Sequence, residues 1–216
     1  MRATRALTLT FLGTRGEINV HSRRHRRHSS LLIQCDAARI MVDCGADWLG
    51  RLERVAPTAV VLTHAHSDHA AGLAAGAPCP VYATGETWAL IHRFPIRDRR
   101  QLPLKKSIMI DGARFTAIPV EHSIRAPAVG YRVSAQNRRF FYLPDVAAPP
   151  MPRAFFGGST SILAMGRPSS AQWCAKEMAG LSATRLSLSN SAGANRPLFA
   201  TPCSPIADRQ SCVATP

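Results

Sequence analysis

Leu7, Leu9 and Phe11 alternate with Thr8 and Thr10, a two-residue period that predicts a strand, and Gly13-Thr14-Arg15-Gly16 closes it with a loop. Ser30-Leu31-Leu32-Ile33-Gln34-Cys35 and Arg39-Ile40-Met41-Val42-Asp43 predict two more strands, joined by a turn at Asp36-Ala37-Ala38, the second ending at Cys44-Gly45. Trp48, Leu49, Leu52 and Val55 recur at helical spacing and predict one amphipathic helix leading into the apolar run Val60-Val61-Leu62. That run suits a buried strand, and Ala70-Ala71-Gly72-Leu73 can start a helix after it. Next come a strand at Val81-Tyr82-Ala83, a helix from Thr87 to His92 and a basic connection containing Pro95 and Pro103. Ile108-Met109-Ile110, Phe115 to Val120, Ala128 to Val133 and Arg139 to Leu143 all have strand character, so a mixed first half gives way to a β-rich second.

The pattern changes after Asp145. Pro149-Pro150 and Gly157-Gly158 break the chain, and Trp173, Cys174 and Met178 mark one amphipathic helix over Ser170 to Leu181. Beyond Ala183 serine, alanine, proline and arginine dominate with weak periodicity. The expected organisation is one domain over residues 1–182 and a poorly ordered tail over 183–216.

Composition narrows the class without naming a chemistry. A chain of 216 residues supports one domain with a substantial core, and 46% apolar with 19% charged residues is ordinary for a globular protein. No apolar run approaches the roughly 20 residues that a membrane span needs. The N-terminal Leu7-Phe11 segment, with its threonines and no small-residue cleavage site, reads as a strand rather than a signal peptide. Cysteines 35, 44, 79, 174, 203 and 212 are scattered with no Cys-x-x-Cys pair, so reduced thiols in a cytoplasmic protein are the simpler account. A net charge of +14 points toward polyanions, but lysine occurs only at 105, 106 and 176 while arginine and alanine abound, as in GC-rich coding sequence. Two clusters stand out: Ser22-Arg23-Arg24-His25-Arg26-Arg27-His28, and Arg93, Arg97, Arg99, Arg100, Lys105 and Lys106. Each reads equally as a phosphate contact or as a solvated charged loop.

The densest chemical signal follows the Val60 run. His64-x-His66-x-Asp68-His69 places four ligand-type residues within six positions on a strand-to-helix turn. Residues i and i+2 of extended chain point the same way, so His64 and His66 can converge on one cation, while Asp68 and His69 follow the bend and face a neighbouring position. A mixed imidazole and carboxylate set suits zinc, iron or manganese better than calcium or magnesium. The competing reading is a solvated loop that happens to be rich in histidine. Later in the chain His122 follows a strand at Val120-Glu121, and Asp145 follows another at Leu143-Pro144. His21, His25, His28 and His92 lie among arginines and carry no metal assignment.

Taken with His122 and Asp145, the motif resembles that of the metallo-β-lactamase-fold hydrolases. Phe11-Leu12-Gly13-Thr14, Ile40-Met41-Val42-Asp43-Cys44-Gly45, His122-Ser123 and Val129-Gly130-Tyr131 are similar to the branch containing tRNA 3′-processing endonucleases and phosphonate-pathway cyclic phosphodiesterases. The likeness runs from about residue 6 to residue 147, with a weaker echo at Trp173-Cys174-Ala175-Lys176-Glu177. It implies an α/β fold, an αββα sandwich of two mixed sheets flanked by helices with the metals at one edge. It also implies that His64, His66 and His122 hold one metal, that Asp68 and His69 hold a second, and that Asp145 bridges both. Asp43 matches an aspartate that supports the site by fixing a ligand or loop, which makes Asp68 and Asp43 the candidate catalytic residues. The implied cofactor is zinc, one or two ions, with manganese or iron as alternatives. Two cations roughly 3.5–4 Å apart can share and acidify a water, so no serine or cysteine nucleophile is required.

The chain departs from that pattern in one respect. The family supplies a further histidine from a late strand after the bridging aspartate, and here no histidine follows His122. The second metal is then expected to bind more weakly, and the tail, with Asn190, Ser191 and Gly193 where a ligand would fall, reads as a truncated or reading-frame-altered terminus. Three functions stay open: a metal-dependent hydrolase acting on a phosphodiester, a weak or inactive metal-binding remnant, and a basic nucleic-acid-binding module with structural metal. The expected partner is a small phosphodiester or a nucleic-acid substrate, with no membrane. The oligomeric state is left open, a homodimer included. No long insertion lies between Gly72 and Pro80 to serve as a tRNA-gripping arm, so a small phosphodiester is at least as well supported as tRNA.

Overall fold

Strands in this chain are built from residues that alternate between two apolar environments. The computed structural model describes residues 7–17, 26–122 and 125–145, together with the course of three short strands further along. The first sheet is built from β1 (Thr8–Gly13), β2 (Ser30–Cys35), β3 (Ala38–Val42), β4 (Ala59–Val61), β5 (Val81–Ala83) and β6 (Arg99–Gln101). The second is built from β7 (Ser107–Ile110), β8 (Ala113–Val120), β9 (Ala128–Ala135), β10 (Arg138–Leu143) and β11 (Thr160–Ala164). β12 (Arg185–Ser187) pairs with β1 and extends the first sheet; β13 (Leu198–Phe199) pairs with β11 and extends the second.

Both sheets are mixed. The first runs β12-β1-β2-β3-β4-β5-β6, antiparallel as far as β3 and parallel from β3 to β6. The second runs β13-β11-β10-β9-β8-β7, antiparallel from β7 to β10 and parallel beyond. Their facing sides form one core. Leu31, Ile33, Ile40, Val42 and Val61 of the first sheet meet Phe115, Tyr131, Val133, Phe140 and Tyr142 of the second. The intervening residues Leu32, Met41 and Val60 point the other way, into a second cluster with Trp48, Leu52, Val55, Leu73 and Ile91 from the helical segments on the outer face. Burial on both faces is why β4 is uninterruptedly apolar. An α/β sandwich with two mixed sheets was expected and is present; the helix expected over Ser170 to Leu181 lies outside the described residues.

The helices are shorter than the periodicity predicts. Instead of one helix through Trp48 and Val55, a 3₁₀ turn at Ala46–Trp48 and α1 (Leu52–Val55) are separated at Gly50, whose φ is +68°. Trp48, Leu52 and Val55 are still buried, so the apolar spacing was preserved while the backbone broke at the residue best able to turn. α2 (Ser67–Ala70) begins inside the histidine motif rather than after it, and α3 (Gly85–Leu90) is capped by Thr84, whose hydroxyl accepts from the Thr87 N–H at 3.3 Å. β6 went unrecognised in the basic connection because its Arg99, Arg100 and Gln101 are all exposed, as an edge strand permits.

The second basic cluster is partly structural. Arg99 donates to the carbonyls of Ile96, His92 and Phe94, and Arg100 pairs with Asp98 at 3.0 Å and donates to the Tyr82 hydroxyl.

Candidate metal centre

The ends of four strands converge. His64 and His66 follow β4, Asp43 follows β3, His122 follows β8 and Asp145 follows β10. Because β8 and β10 both run antiparallel to β9, their ends lie together beside the start of β9. That start is tied to the histidine motif: the Val129 N–H donates to the Thr63 carbonyl at 3.1 Å, and the buried Tyr131 hydroxyl donates to the Leu62 carbonyl. The turn carrying Asp68 and His69 is fastened to the segment that follows β3 in the same sheet by Cys44 N–H to His69 O (2.7 Å) and Gly72 N–H to Cys44 O (2.8 Å). Such close passage requires glycine. A Cβ at Gly45 would lie 2.0 Å from the Asp68 carbonyl oxygen, and one at Gly72 would lie 2.5 Å from the Gly45 carbonyl oxygen.

These elements bring all six expected ligand residues and Asp43 together. The Nε2 atoms of His64 and His122 each stand 3.1 Å from His66 Nδ1. Asp145 Oδ2 lies 2.9 Å from His69 Nε2, 3.7 Å from His64 Nε2 and 3.8 Å from His122 Nε2, within reach of both halves of the cluster. Asp68 Oδ2 is 3.3 Å from His69 Nε2. Two compact donor sets result, His64 with His66 and His122, and His64 with His69 and Asp145, each with its donor atoms within 4.8 Å of one another. Asp68 belongs to neither set and stands beside the second through His69.

Hydrogen bonds behind the cluster aim its lone pairs inward. Asp43, fully buried at φ +64°, takes the Thr63 N–H at 2.8 Å, the Thr63 hydroxyl at 2.9 Å and the His69 Nδ1–H at 2.9 Å. With its proton given to Asp43, the Thr63 hydroxyl is left to accept from His64 Nδ1 at 3.0 Å. One carboxylate thereby orients two rings, His69 directly and His64 through Thr63, so that Nε2 of each is the nitrogen turned toward the other cluster residues.

Burial and neighbouring charge set the protonation. Burial, reinforced by the nearby rings of His69, His66 and His122, drives the pKa of His64 far down and keeps it neutral. Burial also lowers His122. For His69 burial works against charge, but the carboxylates of Asp43, Asp145 and Asp68 together lift its pKa well above the ordinary value. Burial lifts the Asp43 carboxyl, against the His69 and Thr63 donors. Asp68 and Asp145 are held below the usual carboxylate range, their bonds and attraction to His69 outweighing burial.

This donor set fits a transition-metal ion. Three ring nitrogens converge, those of His64 and His122 each 3.1 Å from His66 Nδ1, while Asp68 Oδ1 and His69 Nε2 are buried without a well-aligned hydrogen bond. Nitrogen and carboxylate donors at this density match zinc, manganese or iron. His64, His66 and His122 are the residues suited to one ion, and His69, Asp145 and Asp68 to a neighbouring one.

Three supporting residues escaped the sequence reading. Arg15 is buried and ion-paired with Asp47, and Asp47 also accepts the His28 N–H at 2.8 Å. His28 Nδ1 in turn accepts from the Asp47 N–H at 3.1 Å; burial first and Arg15 next lower its pKa, which suits an acceptor. This trio packs the loop after β1 against the turn that holds Asp68, where a Cβ at Gly16 would lie 4.0 Å from Asp68 Oδ2. His28 sat inside a basic run, and Arg15 and Asp47 are 32 residues apart, so no local pattern marked them.

The profile of the beta-lactamase superfamily domain matches residues 38–190, and the chain belongs to that family. It is 29% identical over 146 residues to ribonuclease Z of Methanopyrus kandleri, an alignment covering 60% of this chain and 50% of that protein, so the chain spans about half the length of that curated relative. Among solved structures, a diphosphatase of the PhnP family superposes with a TM-score of 0.58 at 22% identity, over 74% of each chain. Zn(2+)-bound PqqB from Methylobacterium extorquens superposes with a TM-score of 0.57 at 19% identity, over 73% of this chain and 72% of that one. These superpositions establish a metallo-β-lactamase fold. No helix among the described residues is long and apolar enough to cross a membrane.

Proposed function

We propose that this chain is a metal-dependent hydrolase acting on a phosphodiester. The observation that carries the reading is the convergence of His64, His66 and His122, whose facing nitrogens lie 3.1 Å apart, with Asp145 alongside. A divalent transition-metal ion held by these residues supplies Lewis acidity and a water that ionises near neutral pH. The chain's own part is to present neutral imidazoles, which burial of His64 and His122 secures, and to keep carboxylates ionised at Asp68 and Asp145. Asp43 and Thr63 hold the rings so that ligand geometry does not have to be reorganised during reaction. To Asp68, whose buried Oδ1 has no hydrogen-bond partner, the reading assigns the task of accepting a proton from an attacking water.

Phosphodiester specificity rests on chemistry and likeness together. The net charge of +14 attracts phosphate, and the relative from Methanopyrus kandleri is a ribonuclease Z. Zinc is the cation favoured by the donor set, and a nucleic acid or a small phosphodiester the favoured substrate. The free thiols of Cys35, Cys44 and Cys79 accord with a cytoplasmic setting. A second reading, one firmly held metal and slow turnover, is favoured by the lack of any histidine after His122. Metal analysis paired with hydrolysis of bis(p-nitrophenyl) phosphate separates the two. Two metals per chain and turnover lost in Asp68→Ala support the first; one metal with little turnover supports the second. Equal activity in wild type and Asp68→Ala would overturn the role given to Asp68.

A further inference from the structure

Four arginines from three separate segments, Arg27, Arg39, and Arg51 with Arg54, line a cavity of about 240 Å³ on the outer face of the first sheet. Its floor is apolar, from Leu32 and Val55, and its wall is Trp48. No aspartate or glutamate lines it. Arg39 is committed to the structure, donating to the carbonyls of Val55 at 2.6 Å and Ala56 at 3.3 Å. The others are not. Arg51 and Arg54 are exposed, with no side-chain hydrogen bond or carboxylate partner among the described residues, and Arg27 stacks over Trp48 with its guanidinium carbon 4.9 Å from the ring centroid.

Like charges gathered without a counter-charge repel one another, and a polyanion relieves that repulsion while releasing its own counterions. The guanidinium fork matches phosphate oxygens, and the apolar floor suits the sugar between them. Position favours a chain rather than a free anion. Trp48 ends the same 3₁₀ turn whose preceding Gly45 abuts Asp68, Trp48 Nε1 donates to the His28 carbonyl at 3.1 Å, and Asp47 between them pairs with Arg15. The cavity and the metal centre are thus two sides of one turn, and exposed Arg26 continues the basic surface beyond Arg27.

We infer that this arginine cavity anchors the phosphodiester backbone of a single-stranded nucleic acid at a point away from the bond being cleaved, an inference that rests on the phosphodiesterase reading for its second half only. The test is fluorescence anisotropy of a labelled, cleavage-resistant 2′-O-methyl oligoribonucleotide with the metal-loaded full chain across a salt series. The Arg51→Ala/Arg54→Ala variant is expected to bind on the order of tenfold more weakly, with a log–log salt slope shallower by about 1.4, the value for two lost phosphate contacts to a single strand. Arg93→Ala/Arg97→Ala removes the same charge from exposed positions elsewhere and is expected to stay close to wild type. Arg27→Gln provides an independent probe of the same cavity and should lose part of the same affinity. Equal weakening by the two double variants, binding unchanged in Arg51→Ala/Arg54→Ala, or no binding of the oligonucleotide to wild type would each overturn the anchoring site. Hydrolysis of bis(p-nitrophenyl) phosphate should be the same in wild type and Arg51→Ala/Arg54→Ala. A wild type that binds through the cavity but hydrolyses nothing would refute the phosphodiesterase reading and leave the cavity assignment standing.

Discussion

Replacing Asp43 by asparagine separates charge from shape at the residue that orients two candidate ligands, His69 directly and His64 through Thr63. The introduced amide keeps an oxygen for the Thr63 N–H and hydroxyl, now 2.8 and 2.9 Å from Oδ1, but puts an NH₂ where Oδ2 accepts from His69 Nδ1 at 2.9 Å. His69 must then carry its proton on Nε2, the nitrogen 2.9 Å from Asp145 and 3.3 Å from Asp68, and its lone pair no longer faces the cluster. Losing one buried charge-assisted hydrogen bond costs about 1.5–3 kcal/mol of stability. Loss of such ligand support typically weakens metal binding about 10–100-fold. The first effect is read from the urea midpoint of chelator-treated protein and the second from zinc competition with a chromophoric chelator. The loss should fall on the weaker metal, since His66 and His122 do not touch Asp43. An Asp43→Asn variant with wild-type stoichiometry and affinity for both metals would refute the idea that Asp43 fixes the ligand tautomers.

Gly45→Ala places a methyl 2.0 Å from the Asp68 carbonyl oxygen and 2.7 Å from His28 Cβ, contacts that no rotamer change relieves, so it should lower stability by about 1–3 kcal/mol and reduce metal content in parallel. Wild-type urea midpoint and metal content would contradict the packing described. Stability of the metal-free protein should fall as pH drops below about 5.5, because unfolded chains protonate their histidines there while His64, its pKa depressed by burial, stays neutral in the fold. His69, lifted by its carboxylates, is already protonated in both states over that range and adds no slope. The expected dependence is ~1.4 kcal/mol per pH unit for His64 alone, read from urea midpoints at stepped pH, and a flat profile would contradict a neutral buried His64.

The two-residue alternation of β1 to β3 and β8 to β10 was legible because each of those strands buries one face against the facing sheet. The candidate ligands were legible for a different reason: His64, His66, Asp68 and His69 are local in sequence, and His122 and Asp145 follow strands that end at the same edge. What escaped depended on tertiary placement or on a competing local preference. Gly50 split the expected helix at Trp48–Val55 because left-handed backbone there let Trp48 reach under His28. β6 carries no apolar residue and forms only because β5 offers it an edge. Arg15, Asp47 and His28, like the arginines of the outer cavity, are assembled from segments whose individual compositions say only that they are charged.

The central claim, that residues at this strand edge use metal to hydrolyse a phosphodiester, is tested most directly by chelation and reloading. Protein stripped with EDTA should lose hydrolysis of bis(p-nitrophenyl) phosphate and regain it when zinc or manganese is restored, whereas His66→Ala, lacking the nitrogen shared by His64 and His122, should not regain it. Turnover that survives complete stripping, or that returns equally in His66→Ala, would contradict the account.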